Sequence, residues 1–340
     1  MSDTADKPKQ ELLRDLLRQV SRSFYLSLKW LPRGVREPIS LAYLLARTSD
    51  TIADTDWIPA TQRLHSLESL AASIAGRDSA PVDFGEWAQG QGHPAEGILL
   101  KRIPDSLALL NQLSPPDCAL VREVLATIIS GQTLDLARFA DASGSRIVAL
   151  ETVADLEDYT YRVAGCVGDF WTRVCFSSLS PNCTRSETEL VELGTRYGRG
   201  LQLINILRDL PRDLRQGRCY LPTEQLKTIG LTPELLLDPR NESTLRPLYD
   251  SWLDTAGALL ADGWTYTNAY PRRLARVRIS CALPTLIGRR TLNRLRTGRI
   301  LDPQTHIKVS RSEVQRIVVQ TIVRHPFESL WQRLGNPTSS

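Results

Sequence analysis

The sequence is short of the features that most readily betray a chemistry. Aromatic residues make up 6% of it, there is one methionine, and the four histidines, His65, His93, His306 and His325, are scattered, so none is assigned a role. Six cysteines (Cys118, Cys166, Cys175, Cys183, Cys219 and Cys281) form no CxxC pair, so neither a disulfide framework nor a zinc knot is supported. No basic leader with an apolar core opens the sequence, which makes the cytoplasm with reduced thiols the expected location. No apolar run approaches the roughly 18 residues of a membrane span, so no transmembrane helix is expected. The balance of 42 Lys and Arg against 38 Asp and Glu is too even to imply a nucleic-acid partner. GxSxG, Walker A and GxGxxG-after-strand patterns are missing, so hydrolase, P-loop and Rossmann readings lack support. A di-iron bundle would need Glu-x-x-His on two helices. The nearest matches, His93 with Glu96 and His325 with Glu328, run in the reverse order, and a proline follows each histidine.

Apolar residues at helical spacing are what the sequence has in quantity. "ELLRDLLRQV", "ALVREVLATIISGQTLDLARFA" and "VQRIVVQTIV" show it, whereas alternating runs closed by Asn-Gly turns are missing. The reading is an all-α protein forming one domain over residues 1–340, with 1–10 and 336–340 frayed and no internal repeat. Loops are expected at 79–97, 114–116, 178–183 and at the proline-rich entry after Tyr220. A single helical domain this long exceeds the usual single core, so a central apolar cavity is expected.

Two segments break the apolar pattern in the same way. In "LAYLLARTSDTIADT", Tyr43, Arg47, Asp50 and Asp54 stand at offsets 0, 4, 7 and 11, which at 100° per residue return to nearly one line. Leu41, Leu44, Leu45, Ile52 and Ala53 occupy the other faces, so the helix should be buried with an acidic line turned inward. In "LQLINILRDLPRD", Gln202, Asn205, Asp209 and Asp213 stand at offsets 0, 3, 7 and 11 within a comparable apolar frame. Bare carboxylates in such surroundings need pairing, protonation or a bound cation. One DxxxD pair marks a solvated helix face as readily as a site, but two, each in a polar line on an apolar helix, point to hard divalent cations with oxygen ligands. Mg²⁺ keeps positions for water and substrate phosphates, so a diphosphate is implied, with Arg47, Arg208 and Arg218 available to its oxygens. Pro211 falls between Asp209 and Asp213, removes a backbone donor, and is expected to kink the helix there.

With these segments in view, the chain resembles the squalene and phytoene synthase family of head-to-head prenyl transferases. The resemblance is carried by "SRSFYLSLKWLP" (21–32), "YLLARTSDTIAD" (43–54), "YTYRVAGCVG" (159–168), "LQLINILRD" with Asp213, and "GRCYLP" (217–222). It implies an isoprenoid synthase helical fold in which Asp50, Asp54, Asp209 and Asp213 hold Mg²⁺. It further implies that Tyr43, Arg47, Gln202, Asn205 and Arg208 serve the diphosphate or the metal shell, and that Ser21, Arg22, Ser23 and Phe24 open onto substrate. Tyr159 matches the family tyrosine that guides proton loss or stabilises the cation. Gly165 and Gly168 fit either close helix packing or substrate approach.

"RISCALPTLIGRRTL" (278–292) is similar to a block of squalene synthases, which implies two farnesyl diphosphates joined through presqualene diphosphate and reduced by NADPH. Ser280 departs from that block, where an aromatic residue usually precedes the cysteine. Phytoene synthase, a synthase stopping at dehydrosqualene or presqualene diphosphate, and a non-catalytic assembly protein of the same fold are the alternatives. Around the block Arg272, Arg273, Arg276, Arg278, Arg289, Arg290, Arg294, Arg296 and Arg299 gather. They suit NADPH phosphates, the headgroups of a membrane surface met peripherally, or plain solvent.

Overall fold

Helical periodicity becomes helix along most of the computed structural model, which describes residues 9–21, 24–77, 83–305 and 307–335. Among these residues extended pairing is confined to an isolated Ser143–Arg146 bridge and a two-residue parallel ladder. The ladder sets β1 (Val148–Ala149) against β2 (Arg218–Cys219), with Val148 opposite Arg218. The all-α reading holds. All six cysteines are free thiols. No helix among the described residues is long and apolar enough to cross a membrane. The chain divides into two compact units, one formed by the stretch up to Ala137 with Phe170–Pro181, the other by Arg138–Asp169 with the stretch from Asn182.

In the first unit the central element is α1 (Arg33–Asp54). Val35, Ile39, Leu41, Leu44, Leu45 and Ile52 are all buried, packed against the helices Ala60–Ile74, α2 (Pro94–Lys101) and Ile103–Leu110. Small hydroxyl residues fill the rest of its buried face. Thr48, Thr51 and Thr55 donate to the carbonyls four residues back, and Ser49 to that of Ala46, so the helix satisfies them from its own backbone. α3 (Pro115–Arg138) belongs to the same unit along nearly all its length. The stretch 79–97, expected as one loop, instead contains the helix Gly85–Gln89 and the start of α2. Pro94 at the first helical position and Glu96 in the first turn are the sequence signals for that start.

The second unit is organised on α6 (Glu187–Arg215), with α4 (Val153–Thr160) and the base of α5 (Cys166–Leu179) before it. Ser186 and Glu189 form a capping box that fixes its start. α6 packs on α7 (Glu242–Ala269) and α8 (Ala275–Thr297). Buried tyrosines tie the three together: the Tyr249 hydroxyl donates to the Leu207 carbonyl at 2.9 Å and that of Tyr197 to the Cys281 carbonyl at 2.8 Å. α6 continues through Pro211 without a break, and Asp213 stays on it.

Glycine sets how closely α6 is approached. A Cβ on Gly168 would lie 1.9 Å from the Gly194 carbonyl oxygen, and one on Gly198 would lie 2.2 Å from that of Ala164. Gly168 therefore serves helix contact. Beyond the end of α6, Gly217 takes a φ of 80°, the left-handed turn that carries the chain into β2.

Gly168→Ala should lower the melting midpoint, reflecting an overpacking cost of about 1–3 kcal/mol. Gly257→Ala, inside α7 with its nearest neighbour 4.0 Å from a new Cβ, should leave the midpoint unchanged or raise it. Thermal unfolding by circular dichroism distinguishes the two; equal behaviour would contradict the close-contact account.

Candidate active site

The first acidic line lies along the one open strip of α1. Tyr43, Ala46, Arg47 and Asp50 are half-buried and Asp54 is exposed, while Leu44, Leu45, Thr48, Ser49, Thr51 and Ile52 between them are buried. Arg47 donates through Nη2 to Glu96 Oε1 on α2, and its Nη1 lies 3.9 Å from Asp50 Oδ2. The Arg47 Nε is buried without a hydrogen-bond acceptor among the described residues, an N–H turned toward no partner. Gln132, on α3, donates its amide to Asp50 Oδ1.

Asp50 keeps 47% of its side-chain surface open, yet protein surrounds it deeply enough for desolvation to dominate its titration. Burial first, and then the charge of Asp54, push its carboxyl up to about 7, against the opposing pull of Arg47 and of the Gln132 hydrogen bond. Arg47 shows the converse effect. Burial works against its charge, but the bond to Glu96 and the charges of Asp50 and Glu96 hold it above its ordinary value.

The second line follows the same pattern on α6. Gln202, Asn205, Arg208 and Asp209 are half-buried among the buried Leu203, Ile204, Ile206, Leu207 and Leu210. Asn205 Nδ2 donates to Gln202 Oε1 at 3.4 Å. Arg208 grips Asp209 with two bonds, Nε to Oδ1 at 3.0 Å and Nη2 to Oδ2 at 2.7 Å. Burial alone would raise Asp209, but these bonds, with the charges of Arg208, Arg212 and Lys308, hold it below the usual carboxylate range. Asp213 is buried and pushed up to about 6, chiefly by desolvation and further by Asp209, with Arg212 and Arg218 opposing. Arg212 donates to its Oδ1 from Nε and Nη2 at 3.3 and 3.2 Å.

Tyr159 stacks on Tyr220 with ring centroids 4.8 Å apart, and Phe139 meets Tyr220 edge-on at 5.2 Å. This aromatic group, within the second unit, holds the Tyr159 ring in one orientation. Ser21 is buried and its hydroxyl donates to the Leu17 carbonyl. Arg22, Ser23 and the Phe24 side chain lie outside the described residues. Within its own unit each line is therefore brought together as the spacing requires. Glu96, Gln132 and Lys308 complete the lines and carry no local signal of that role in the sequence.

By donor chemistry the two lines suit a hard cation: carboxylate oxygens, with amide oxygens on α6. Among the described residues no group of three or more His, Cys, Asp and Glu stands in metal-holding proximity.

Comparison with known proteins adds four findings. The family description "Squalene/phytoene synthase" matches residues 17–313. A bifunctional lycopene cyclase/phytoene synthase of Phaeosphaeria nodorum is 32% identical over 233 residues, 66% of this chain and 36% of that protein, so the chain spans little more than a third of that relative. A presqualene diphosphate synthase of Rhodopseudomonas palustris is 29% identical over 304 residues, covering 88% of this chain and 92% of the relative. In fold, the solved complex of TcSQS with a ligand superposes with a TM-score of 0.76 at 20% identity, covering 98% of each chain.

The raised Asp50 carboxyl has a consequence for cation-free protein. The folded state retains a proton that the unfolded chain, with an ordinary value near 3.8, gives up. Asp50 therefore opposes folding increasingly as pH rises from about 4 to about 7. In chelator-treated protein Asp50→Asn should melt above the unsubstituted protein at pH 8, by a gap that narrows toward pH 5. A gap independent of pH, or of opposite sign, would contradict the assignment.

Proposed function

Since this chain belongs to the squalene/phytoene synthase family, we propose that it is a prenyltransferase joining two farnesyl diphosphates head to head through presqualene diphosphate, with squalene as the product when NADPH reduces that intermediate. The observation that carries this reading is the pair of acidic lines, each the open strip of a helix otherwise walled in by apolar side chains. Asp50 and Asp213, both pushed up by desolvation, would hold their charge more readily beside a bound cation.

Asp50, Asp54, Asp209 and Asp213 would hold Mg²⁺. Bound there, Mg²⁺ would supply positive charge to a diphosphate leaving group as the allylic C–O bond breaks. The side chains do the rest. Arg47, fixed by Glu96 with its Nε–H still unengaged, suits a diphosphate oxygen, and Arg208, Arg218 and Lys308 add charge on the second unit. Gln202 and Asn205 contribute amide donors beside them. Tyr159, locked against Tyr220, is oriented to face a cation or steer the departing proton.

A second reading, in which the reaction ends at presqualene diphosphate, has its own support. Ser280, Cys281, Ala282 and Leu283 are all buried, and the Ser280 hydroxyl donates to the Arg276 carbonyl at 2.8 Å, so this block suits packing and offers a nicotinamide no open contact. No reductive step is assigned to it. The Rhodopseudomonas palustris relative carries the name of the shorter reaction.

Purified protein incubated with Mg²⁺ and farnesyl diphosphate should yield presqualene diphosphate by mass spectrometry, and adding NADPH separates the readings according to whether squalene follows. Asp50→Asn and Asp209→Asn should each lower turnover about a hundredfold or more with folding intact. Normal turnover in either variant would sink the acidic-line assignment. No product from farnesyl or geranylgeranyl diphosphate would favour a non-catalytic assembly protein.

A further inference from the structure

The C-terminal part of the second unit carries a surface that the reaction leaves unused. Residues 271–340 contain 14 Arg and Lys against three Asp and Glu, whereas the preceding 270 residues contain 28 against 35. The near-neutral total thus conceals a strongly basic end on an acidic remainder.

Within that end, α9 (Arg311–Arg324) packs on α8 through its buried Ile317 and Thr321. Its opposite face is polar in the first half, where Ser312, Gln315 and Arg316 are exposed, and turns apolar toward its end. Val319 and Val323, one turn apart, are 58% and 59% exposed, and Phe327, the next step at the same spacing just past the helix, is 57% exposed. Of the seven large apolar side chains well exposed among the described residues, these three fall within nine consecutive positions. Single exposed apolar residues need no account, but an exposed apolar stripe opposite the packed face of a helix suits a second apolar neighbour.

The charges around the stripe indicate which neighbour. The two acidic residues between positions 311 and 328 are engaged: Glu313 pairs with Arg294 at 2.5 Å and Glu328 with Arg272 at 3.5 Å. Arg311, Arg316 and Arg324 lie along α9 beside the stripe, and none makes an ion pair among the described residues. A second copy of the chain meeting this face across a two-fold axis would set the basic surface against itself. An anionic bilayer supplies both complements, phosphates for the arginines and acyl chain for the stripe. We propose that this face of α9, with Val319, Val323 and Phe327 inserted and Arg311, Arg316 and Arg324 at headgroup level, docks the protein on an anionic membrane surface. The inference is independent of the reaction catalysed.

Vesicle co-sedimentation of the full chain tests it. The protein should bind phosphatidylcholine vesicles containing phosphatidylglycerol, bind vesicles of phosphatidylcholine alone weakly, and be released by salt. The triple variant Val319→Ser, Val323→Ser, Phe327→Ser and the double variant Arg316→Glu, Arg324→Glu should each weaken partitioning on the order of tenfold or more. Their circular dichroism melts should be unchanged. Should the triple variant fail to fold, the charge-reversed pair carries the test. Absence of binding to anionic vesicles, binding indifferent to lipid charge, or folded variants that bind like the parent would overturn the proposal. A solution dimer dissociated by the triple substitution would overturn it too, marking the face as a self-association surface.

Discussion

Asp50 and Asp54, one helical turn apart on a helix that the protein buries along most of its circumference, carry a repulsion that the apoprotein does not fully relieve. Arg47 and Gln132 oppose the lift on Asp50, yet desolvation still wins and drives it up to about 7. On α6 the balance is divided between two residues. Asp209, with two bonds to Arg208, stays below the usual range, while Asp213, more deeply buried, rises to about 6. Both lines thus combine acidic groups held at a cost with arginines fixed beside them, an arrangement suited to polyvalent cations and anions arriving together.

The surrounding architecture makes that cost bearable. α1 answers the hydroxyls of Thr48, Thr51 and Thr55 from its own carbonyls, so these small polar groups sit within its packed faces already satisfied. α6 is approached at glycine contacts, Gly194 facing Gly168 and Gly198 facing Ala164, and is tied to its neighbours by buried tyrosine hydroxyls. Such a frame leaves little slack for the side chains it carries. Preorganised charge is effective only when the frame does not relax around it.

Both lines could be read from the sequence because a polar line at helical spacing declares itself within a dozen residues, and the frame around it announces burial. Their supporting residues could not, since Glu96 lies 49 positions from Arg47 and Gln132 lies 82 from Asp50, and only the tertiary fold brings them together. The segment supplying Glu96 was hidden by its glycines and prolines, which suggest loop, although Pro94 is placed where a helix begins. Pro211 suggested a kink, and α6 continues through it as one helix from Glu187 to Arg215. For Gly168 the sequence left packing and substrate approach equally open, and the position of the Gly194 carbonyl decides for packing. The exposed apolar stripe on α9 was invisible by periodicity alone, because "RIVVQTIV" reads as an ordinary core-facing helix until its two faces are located.

The central claim is that the acidic lines are built for a divalent cation and a diphosphate bound together. The most direct measurement is the melting midpoint at pH 8 of chelator-stripped protein, with Mg²⁺ alone, inorganic diphosphate alone, and both. A ligand that binds only the folded state raises the midpoint by mass action. The account predicts a rise with both that exceeds the sum of the separate rises and is lost in Asp50→Asn and in Asp209→Asn. Purely additive shifts, or a cooperative rise that survives both substitutions, would contradict it.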